Sequence, residues 1–155
     1  MTQAALQHGD TVVATDLRPS ALDALASQHG PDRLRVLPLD VTQEAAVARA
    51  FDAAKAAFGR VDVVFNNAGV ALVGEIEGTP VDLARRVFDV NFWGAVHVSR
   101  AAVRFFREEN PAGAGGRLIT TSSAAGIRPV VGVPYYTASK FGEPSPSALS
   151  SLFIT

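Results

Sequence analysis

The chain of 155 residues has no cysteine, and its three histidines, His8, His29 and His97, lie far apart. Disulfide bonds and thiolate metal sites are therefore excluded, and the histidine spacing predicts no metal site. No apolar run approaches the ~20 residues that a membrane-spanning helix needs. Residues 1–8 have neither the basic nor the apolar segment of a secretory signal peptide. We therefore expect a cytoplasmic protein that does not bind membranes.

Charged residues are also scarce, at 19% of the chain, and they nearly cancel to a net charge of −1. The arginines are scattered along the sequence, so they form no basic surface of the kind that binds nucleic acid. Apolar residues make up 48% of the chain. That content is enough to build the buried core of one domain of this length.

Runs rich in β-branched residues alternate with helical patterns along the chain. Strands are predicted at 11–16, 34–39, 61–65 and 117–121. Helices are predicted at 20–29, 43–58 and 79–109, and from residue 134 onward. Pro38 inside the second strand indicates the edge of a sheet, because proline cannot donate to a ladder. The alternation predicts an α/β fold, a Rossmann-like doubly wound parallel sheet with helices on both faces.

Several residues are predicted to begin or end these helices. Thr42 is placed to cap the second helix, and Gly59 is placed to end it in a left-handed conformation. Thr79 is expected to cap the long third helix, with Pro80 at its first position. Residues 110–116 (NPAGAGG) are expected to form a flexible surface loop.

The strongest chemical signal is a tyrosine and a lysine four positions apart, Tyr136 and Lys140. This spacing places both side chains on one face of a helix. A free phenol holds its proton up to about pH 10, and a nearby ammonium favours the charged phenolate. The pair is therefore a candidate general acid and base. Ordinary helix surfaces produce the same spacing by chance. Tyr135 is not a candidate, because no lysine lies four positions after it.

Other candidates follow the ends of predicted strands, where the active groups of parallel sheets gather. Ser123 is either a donor to a substrate oxygen or a plain turn serine. Residues 66–69 (NNAG) either let the backbone approach a ligand or simply end a strand. Asp16 ends the first predicted strand, and Asp40, followed by Val41, ends the second. Each carboxylate is either simply solvated or bonds to a ribose 2′-hydroxyl, in which case it would repel a 2′-phosphate.

A further candidate lies in the middle of the long predicted helix. Asn91 has poor helix propensity, and Gly94 follows it closely. The pattern predicts either a local kink with a functional amide or an ordinary polar position.

Taken in order, these residues resemble the classical short-chain dehydrogenase/reductase family over roughly residues 2–142. The matching residues are Asp16, Asp40, Val41, Asn66, Asn67, Ala68, Gly69, Asn91, Ser123, Tyr136 and Lys140. Each match alone is modest evidence for the family, whereas the whole series in this order and at this spacing is specific evidence for it. The NNAG segment indicates the classical branch and not the sugar-nucleotide epimerases and dehydratases, which share the Tyr-x-x-x-Lys spacing.

The resemblance implies hydride transfer between a nicotinamide cofactor and an alcohol or ketone. Tyr136 would be the general acid and base, and Lys140 would bind the nicotinamide ribose and favour the phenolate. Ser123 would hold the substrate oxygen. Asn91 would hold a water in the proton relay. The family also implies a possible homo-oligomer.

The resemblance also implies how the cofactor is held. Asp40 and Val41 would contact the adenine ring, and Asp16 would favour NAD over NADP. The adenine–ribose side would be lined by Asn67, Ala68 and Gly69. The segments 70–73 (VALV) and 127–133 (IRPVVGV) would flank the site. Both are largely apolar, which favours an apolar alcohol or ketone.

The chain departs from the family pattern at both ends. It lacks the opening strand and the glycine-rich turn, so residues 1–142 are expected to form a partial NAD(P)-binding domain. That strand is central in the Rossmann strand order, so its absence leaves a gap of about 9–10 Å. Either four unpaired strand edges face each other across this gap, or the two halves slide together.

The family's C-terminal strands are also missing, and an atypical Ser/Pro-rich tail, 143–155, follows the domain. A shifted reading frame or a truncated gene would explain this tail. Two alternatives to an active enzyme follow. One is an inactive truncated remnant with no turnover of its own, and the other is a module whose missing strand comes from another chain.

Overall fold

The strands form two separate sheets in the computed structural model, which describes residues 1–142 and the backbone of residues 149–154. In the first sheet, β1 (Val12–Asp16) pairs in parallel with β2 (Leu34–Pro38). In the second, β3 (Val63–Asn66) pairs in parallel with β4 (Gly116–Thr121). The other edge of β4 pairs in antiparallel fashion with β5 (Leu149–Ile154).

The division falls between β1 and β3, at the place of the strand that the sequence lacks. Within the described part of the chain, no ladder of hydrogen bonds joins the two sheets. The predicted edge position of β2 is confirmed, because β2 pairs with β1 alone. The predicted α/β class with parallel strands is likewise confirmed.

The helices alternate with these strands along the chain. They are α1 (Thr2–His8), α2 (Asp23–Ala26), α3 (Glu44–Phe58), α4 (Val81–Phe88), α5 (Ala95–Glu108) and α6 (Pro134–Phe141). A π-helical segment, Asp89–Gly94, joins α4 to α5. Short 3-10 turns occupy Pro19–Leu22 and Ala124–Gly126.

The two predicted threonine caps are wrong, because each hydroxyl bonds elsewhere. The Thr42 hydroxyl donates to Oδ1 of Asp40 at 2.8 Å, and no side chain caps α3. The Thr79 hydroxyl donates to the carbonyl of Glu75 at 2.6 Å, and α4 also starts without a side-chain cap. Gly59 does end α3 in the left-handed region, with φ of 77°, as predicted.

The predicted helix at 20–29 is shorter in the structure. The Ser27 hydroxyl donates to the carbonyl of Ala24 at 3.0 Å, and the backbone amides of Gln28 and His29 bond three residues back. These tighter turns end α2 at Ala26 because they replace the four-residue spacing of the α-helix.

The predicted surface loop at 110–116 begins with a buried residue. Asn110 is only 8% exposed. Its side chain accepts from the amide of Val61 at 3.1 Å and donates to the carbonyls of Val61 and Gly115, each at 2.7 Å. The start of this loop is therefore fixed against the segment that leads into β3.

The Ser/Pro-rich tail contains a strand that the sequence analysis did not predict. β5 spans Leu149–Ile154 and runs along β4, with Leu118 opposite Leu152. Residues 143–148 of the tail, and residue 155, lie outside the described residues.

The buried apolar residues form separate clusters on the two sheets and one cluster between them. Leu6, Ala14 and Leu34 pack α1 against the first sheet. The second sheet packs against α5 through Ala102, Phe105, Phe106 and Leu118. The connecting cluster consists of Val41, Val47 and Val98, with the partly buried Leu39 and Val64 packed against it.

Candidate active site

The predicted Tyr–Lys pair lies on α6, beside the end of β4. Lys140 is 7% exposed, and its ammonium donates to the carbonyl of Thr121, the last residue of β4, at 3.2 Å. The same ammonium nitrogen lies 5.9 Å from the centre of the half-buried Tyr136 ring. The strand end thus holds the lysine one helical turn from the tyrosine.

Ser123 begins the turn that follows β4. Its hydroxyl oxygen accepts from the amide of Ala125 at 3.2 Å, which leaves the hydroxyl hydrogen able to donate to a ligand. A Cβ at Gly126 would lie 2.8 Å from the carbonyl oxygen of Lys140. The missing side chain therefore lets the turn that carries Ser123 approach the backbone of α6.

Asn91 lies in the π-helical segment between α4 and α5, so the helix is irregular at this position. The side chain is fully buried. Its Oδ1 accepts from the amide of Val70 at 2.8 Å, and its Nδ2 donates to the carbonyl of Val70 and to the Ser139 hydroxyl, both at 2.9 Å. Both amide hydrogens are used, and the fully buried side chain has no surface on which a relay water could bind.

The NNAG segment follows β3 and meets the other elements of the site. Asn66 is buried and donates to the carbonyl of Ala95 at 3.1 Å, which ties β3 to α5. Asn67 is exposed and its Oδ1 accepts from the Thr121 hydroxyl at 2.9 Å. Ala68 is exposed. A Cβ at Gly69 would lie 3.4 Å from Oδ1 of Asn91 and 3.9 Å from the ammonium of Lys140, so this turn closely approaches the lysine.

The two aspartates lie at the ends of the strands of the first sheet. Asp16 is exposed, and its Oδ1 accepts from the amide of Arg18 at 2.7 Å. Asp40 is also exposed, and its Oδ1 accepts from the amide of Thr42 at 3.0 Å. The backbone thus orients both carboxylates while leaving them accessible to a ligand.

Val41, next to Asp40, contacts residues at the start of α5 and just before it. A Cβ at Gly94 would lie 2.6 Å from a methyl group of Val41, so the glycine permits this contact. The Val41 carbonyl lies 3.0 Å from Nδ1 of His97. The sequence favours a surface or packing role for His97 over metal binding, but it gives no sign of this particular contact.

The residues present fit part of a nicotinamide dinucleotide. Tyr136 and Lys140 lie together with Gly69, where the missing side chain leaves backbone open to a ligand. Asp16 and Asp40 offer exposed acceptors for a ribose. Among residues 1–142, however, no glycine-rich turn leads from a strand into a helix. The described part of the chain therefore supplies no such cradle for the pyrophosphate.

Two further features are absent from the part of the chain that the structure describes. None of its helices combines the length and the apolar character needed to cross a bilayer. It also contains no group of three or more histidine, aspartate or glutamate side chains arranged to hold a metal ion.

Comparison with known proteins identifies the class. The sequence model of the family described as short chain dehydrogenase matches residues 1–145. The chain therefore belongs to the short-chain dehydrogenase family, whose members are oxidoreductases that bind NAD(P).

Two similar proteins show how much of a family member the chain covers. It is 39% identical over 141 residues to an uncharacterised oxidoreductase of Schizosaccharomyces pombe. That alignment covers 91% of this chain and 46% of the relative. It is 37% identical over 133 residues to retinol dehydrogenase 8 of Bos taurus, covering 84% of this chain and 41% of the relative. The chain thus spans about half the length, or less, of these relatives.

A solved structure of the family is also matched over about half of its length. The crystal structure of a short-chain dehydrogenase from Streptomyces avermitilis matches with a TM-score of 0.80 and 34% identity. The match covers 90% of this chain and 51% of that one. The described fold therefore corresponds to about half of a short-chain dehydrogenase.

Proposed function

We propose that this chain belongs to an NAD(P)-dependent oxidoreductase acting on an apolar alcohol or ketone, and that it carries the proton-transfer residues of that reaction. The observation that supports this most is the placement of Lys140. Its buried ammonium is bonded to the end of β4 and lies 5.9 Å from the ring centre of Tyr136. A tyrosine with a buried ammonium beside it is an arrangement suited to a general acid and base.

The proposed chemistry assigns one task to each side chain. In alcohol oxidation, Tyr136 takes the proton from the substrate hydroxyl, and in ketone reduction it returns that proton to the substrate oxygen. Ser123 donates a hydrogen bond to the same oxygen. Lys140 also binds the nicotinamide ribose. The bound nicotinamide supplies the hydride chemistry, and the protein positions and polarises the reactants.

The remaining assignments concern the relay and the cofactor. Asn91 is proposed to hold a relay water, which requires the segments around it to open, because the side chain is fully buried. The adenine and its ribose are proposed to contact Asp40, Val41, Asn67, Ala68 and Gly69. We propose NAD in preference to NADP, because the exposed carboxylate of Asp16 would repel a 2′-phosphate.

An apolar substrate is supported by two segments beside the site. The amide of Gly74 donates to the carbonyl of Gly132 at 2.9 Å, which joins the segments after β3 and before α6. Both segments expose valines, with Val73 at 80% and Val131 at 101% exposure. Retinol dehydrogenase 8, one of the similar proteins, is named for an apolar alcohol. The predicted homo-oligomer and cytoplasmic location remain predictions.

The first test is thermal unfolding of the full chain with and without NAD or NADP. Cofactor at a hundred times its Kd stabilises a protein by about 2.7 kcal/mol. We expect a cooperative transition whose midpoint rises with NAD and rises less with NADP. A midpoint that neither cofactor moves would contradict the proposal and favour an inactive remnant.

The second test is turnover. Reduction of NAD is followed with retinol as an apolar alcohol and with a polyol as its polar counterpart. We expect retinol to be oxidised faster, and Tyr136→Phe to abolish that reaction without changing the NAD-dependent shift in the melting midpoint. Equal rates for Tyr136→Phe and the parent would remove Tyr136 from the proposed chemistry.

A further inference from the structure

We propose that Ser139 is a positioning residue that sets the orientation of Tyr136 and Lys140, an inference that rests on the proposed function of that pair. Ser139 is fully buried on α6. Its hydroxyl donates to the carbonyl of Tyr136 at 2.7 Å and accepts from Nδ2 of Asn91 at 2.9 Å. The side chain therefore bonds to two segments of the site at once.

The first of these bonds is common for a serine inside a helix, where the hydroxyl often donates to a carbonyl three or four residues back. The second bond is not explained in that way. It comes from Asn91, which lies 48 positions away in sequence and is itself fully buried. Ser139 therefore connects α6 to the π-helical segment in addition to stabilising its own turn.

Helical geometry explains why this connection matters for the Tyr–Lys pair. Ser139 follows Tyr136 by three positions and precedes Lys140 by one. Side chains of a helix turn by roughly 100° per residue. A bond that fixes Ser139 against Asn91 therefore fixes the rotation of α6 about its axis, and with it the directions of both neighbouring side chains.

The contacts of Asn91 extend the connection to the turn after β3. Its other hydrogen bonds go to the amide and carbonyl of Val70. The segment that contains Gly69, the π-helical segment and α6 are thus held together through one amide group. If Ser139 loses its hydroxyl, one buried N–H of Asn91 loses its acceptor, and α6 loses its contact with that amide.

The chain offers a matched control on the same helix. Thr137 is also buried, at 9% exposure, and its hydroxyl has no hydrogen-bond partner within the described residues. Thr137→Val removes a hydroxyl without removing a hydrogen bond and keeps the volume of the side chain. Any effect of Thr137→Val on the reaction therefore shows the effect of altered packing in α6 without the loss of a hydrogen bond.

The experiment measures the NAD-dependent oxidation of retinol by the full chain and separates kcat from the KM for retinol. We expect Ser139→Ala to lower kcat by about tenfold or more while that KM changes little, because Tyr136 and Lys140 lose the orientation that proton transfer needs. Thr137→Val should leave kcat unchanged.

Two more variants distinguish the possible results. Ser139→Cys keeps the size of the side chain with a weaker acceptor, so it should also lower kcat, and it replaces Ser139→Ala if that variant does not fold. Lys140→Met tests the pair itself. If Lys140→Met lowers kcat but neither Ser139 variant does, the role of Ser139 is wrong and the proposed Tyr–Lys pair stands. If Lys140→Met has no effect, or if the parent chain does not oxidise retinol, the proposed function of the pair fails first. Equal losses of kcat in Thr137→Val and Ser139→Ala would also overturn the role of Ser139, because they would report only altered packing.

Discussion

Asn110 shows how one side chain can hold two segments that the sequence places far apart. It is buried and makes hydrogen bonds to both backbone groups of Val61 and to the carbonyl of Gly115. We expect Asn110→Ala to lower the free energy of unfolding by about 2–3 kcal/mol, because buried backbone groups lose their partners. Chemical denaturation measures this change. The exposed Asn67→Ala should cost less than about 1 kcal/mol, and equal losses in the two variants would contradict the role given to Asn110.

A second residue-scale prediction concerns the choice of cofactor. The exposed carboxylate of Asp16 is oriented at the end of β1 by the amide of Arg18. Asp16→Asn keeps the size of the side chain and removes the charge that would repel a 2′-phosphate. We expect the ratio of NADP affinity to NAD affinity to rise by about tenfold, which corresponds to about 1.4 kcal/mol. Titration calorimetry with each cofactor measures it. Asp23→Asn, an exposed change on α2, should leave the ratio as it is, and an unchanged ratio in Asp16→Asn would show that this carboxylate does not read the ribose.

At the scale of elements, the sequence predicts the parallel strands and most of the helices because their periodicity comes from burial, which is a local pattern. It does not predict the helix starts. Thr42 and Thr79 have the residue type of a cap, but nearby acceptors, Asp40 and the carbonyl of Glu75, take their hydroxyls. The sequence does not predict β5, because this strand depends on pairing with β4, which lies far from it in the sequence.

The same reasoning applies to the candidate site. Tyr136 and Lys140 are visible in the sequence because their four-residue spacing is a property of one helix. Ser139 lies between them, and its bond to Tyr136 is equally local, so it was open to prediction. Its bond to Asn91 depends on how two helices pack, and spacing along the chain does not contain that information.

One element-scale prediction tests the close packing of β4 on α5. A Cβ at Gly116 would overlap the ring of Phe106. We expect Gly116→Ala to lower the free energy of unfolding by about 1–3 kcal/mol through overpacking. Phe106→Leu in the same chain should recover part of this loss, so the two changes should be non-additive in denaturant titrations. Gly78→Ala, where an added Cβ meets no atom within 4 Å, serves as the control. Strict additivity of the two core changes would refute the contact.

At the scale of the whole molecule, an ion pair between Lys55 of α3 and Glu109, just after α5, joins two helices. The hydrogen bond from Lys55, followed by its charge, lowers the pKa of the Glu109 carboxyl below its ordinary value of 4.5. A lowered carboxyl pKa stabilises the fold above pH 4.5 and loses this effect as the pH falls through the lower, folded value. Lys55→Met should therefore melt slightly below the parent at neutral pH, and the difference should vanish in acid. Arg49→Met, an exposed change on the same helix, should show no such pH dependence, and a difference that persists in acid would rule out the ion pair as its cause.

Within the part of the chain that the structure describes, side chains connect the two sheets, and no ladder of backbone hydrogen bonds joins them. Val41, Val47 and Val98 form the connecting cluster, and Val41 follows directly on the end of β2 and its aspartate. Parts of a protein that share few buried contacts can open separately, with a free energy below that of global unfolding. The sheet of β1 and β2 has its own small core around Leu6 and Ala14, so it is the part expected to open first.

Amide hydrogen exchange tests this expectation strand by strand. We expect the amides of β1 and β2 to exchange before those of β3 and β4. Val41→Ala removes contacts between the sheets, so it should lower the protection of β1 and β2 by about 1–3 kcal/mol while changing β3 and β4 less. Leu118→Ala, in the core of the second sheet, should have its main effect on β3 and β4. Equal loss of protection in all four strands after Val41→Ala would mean that the two sheets unfold as one unit, in spite of the missing ladder between them.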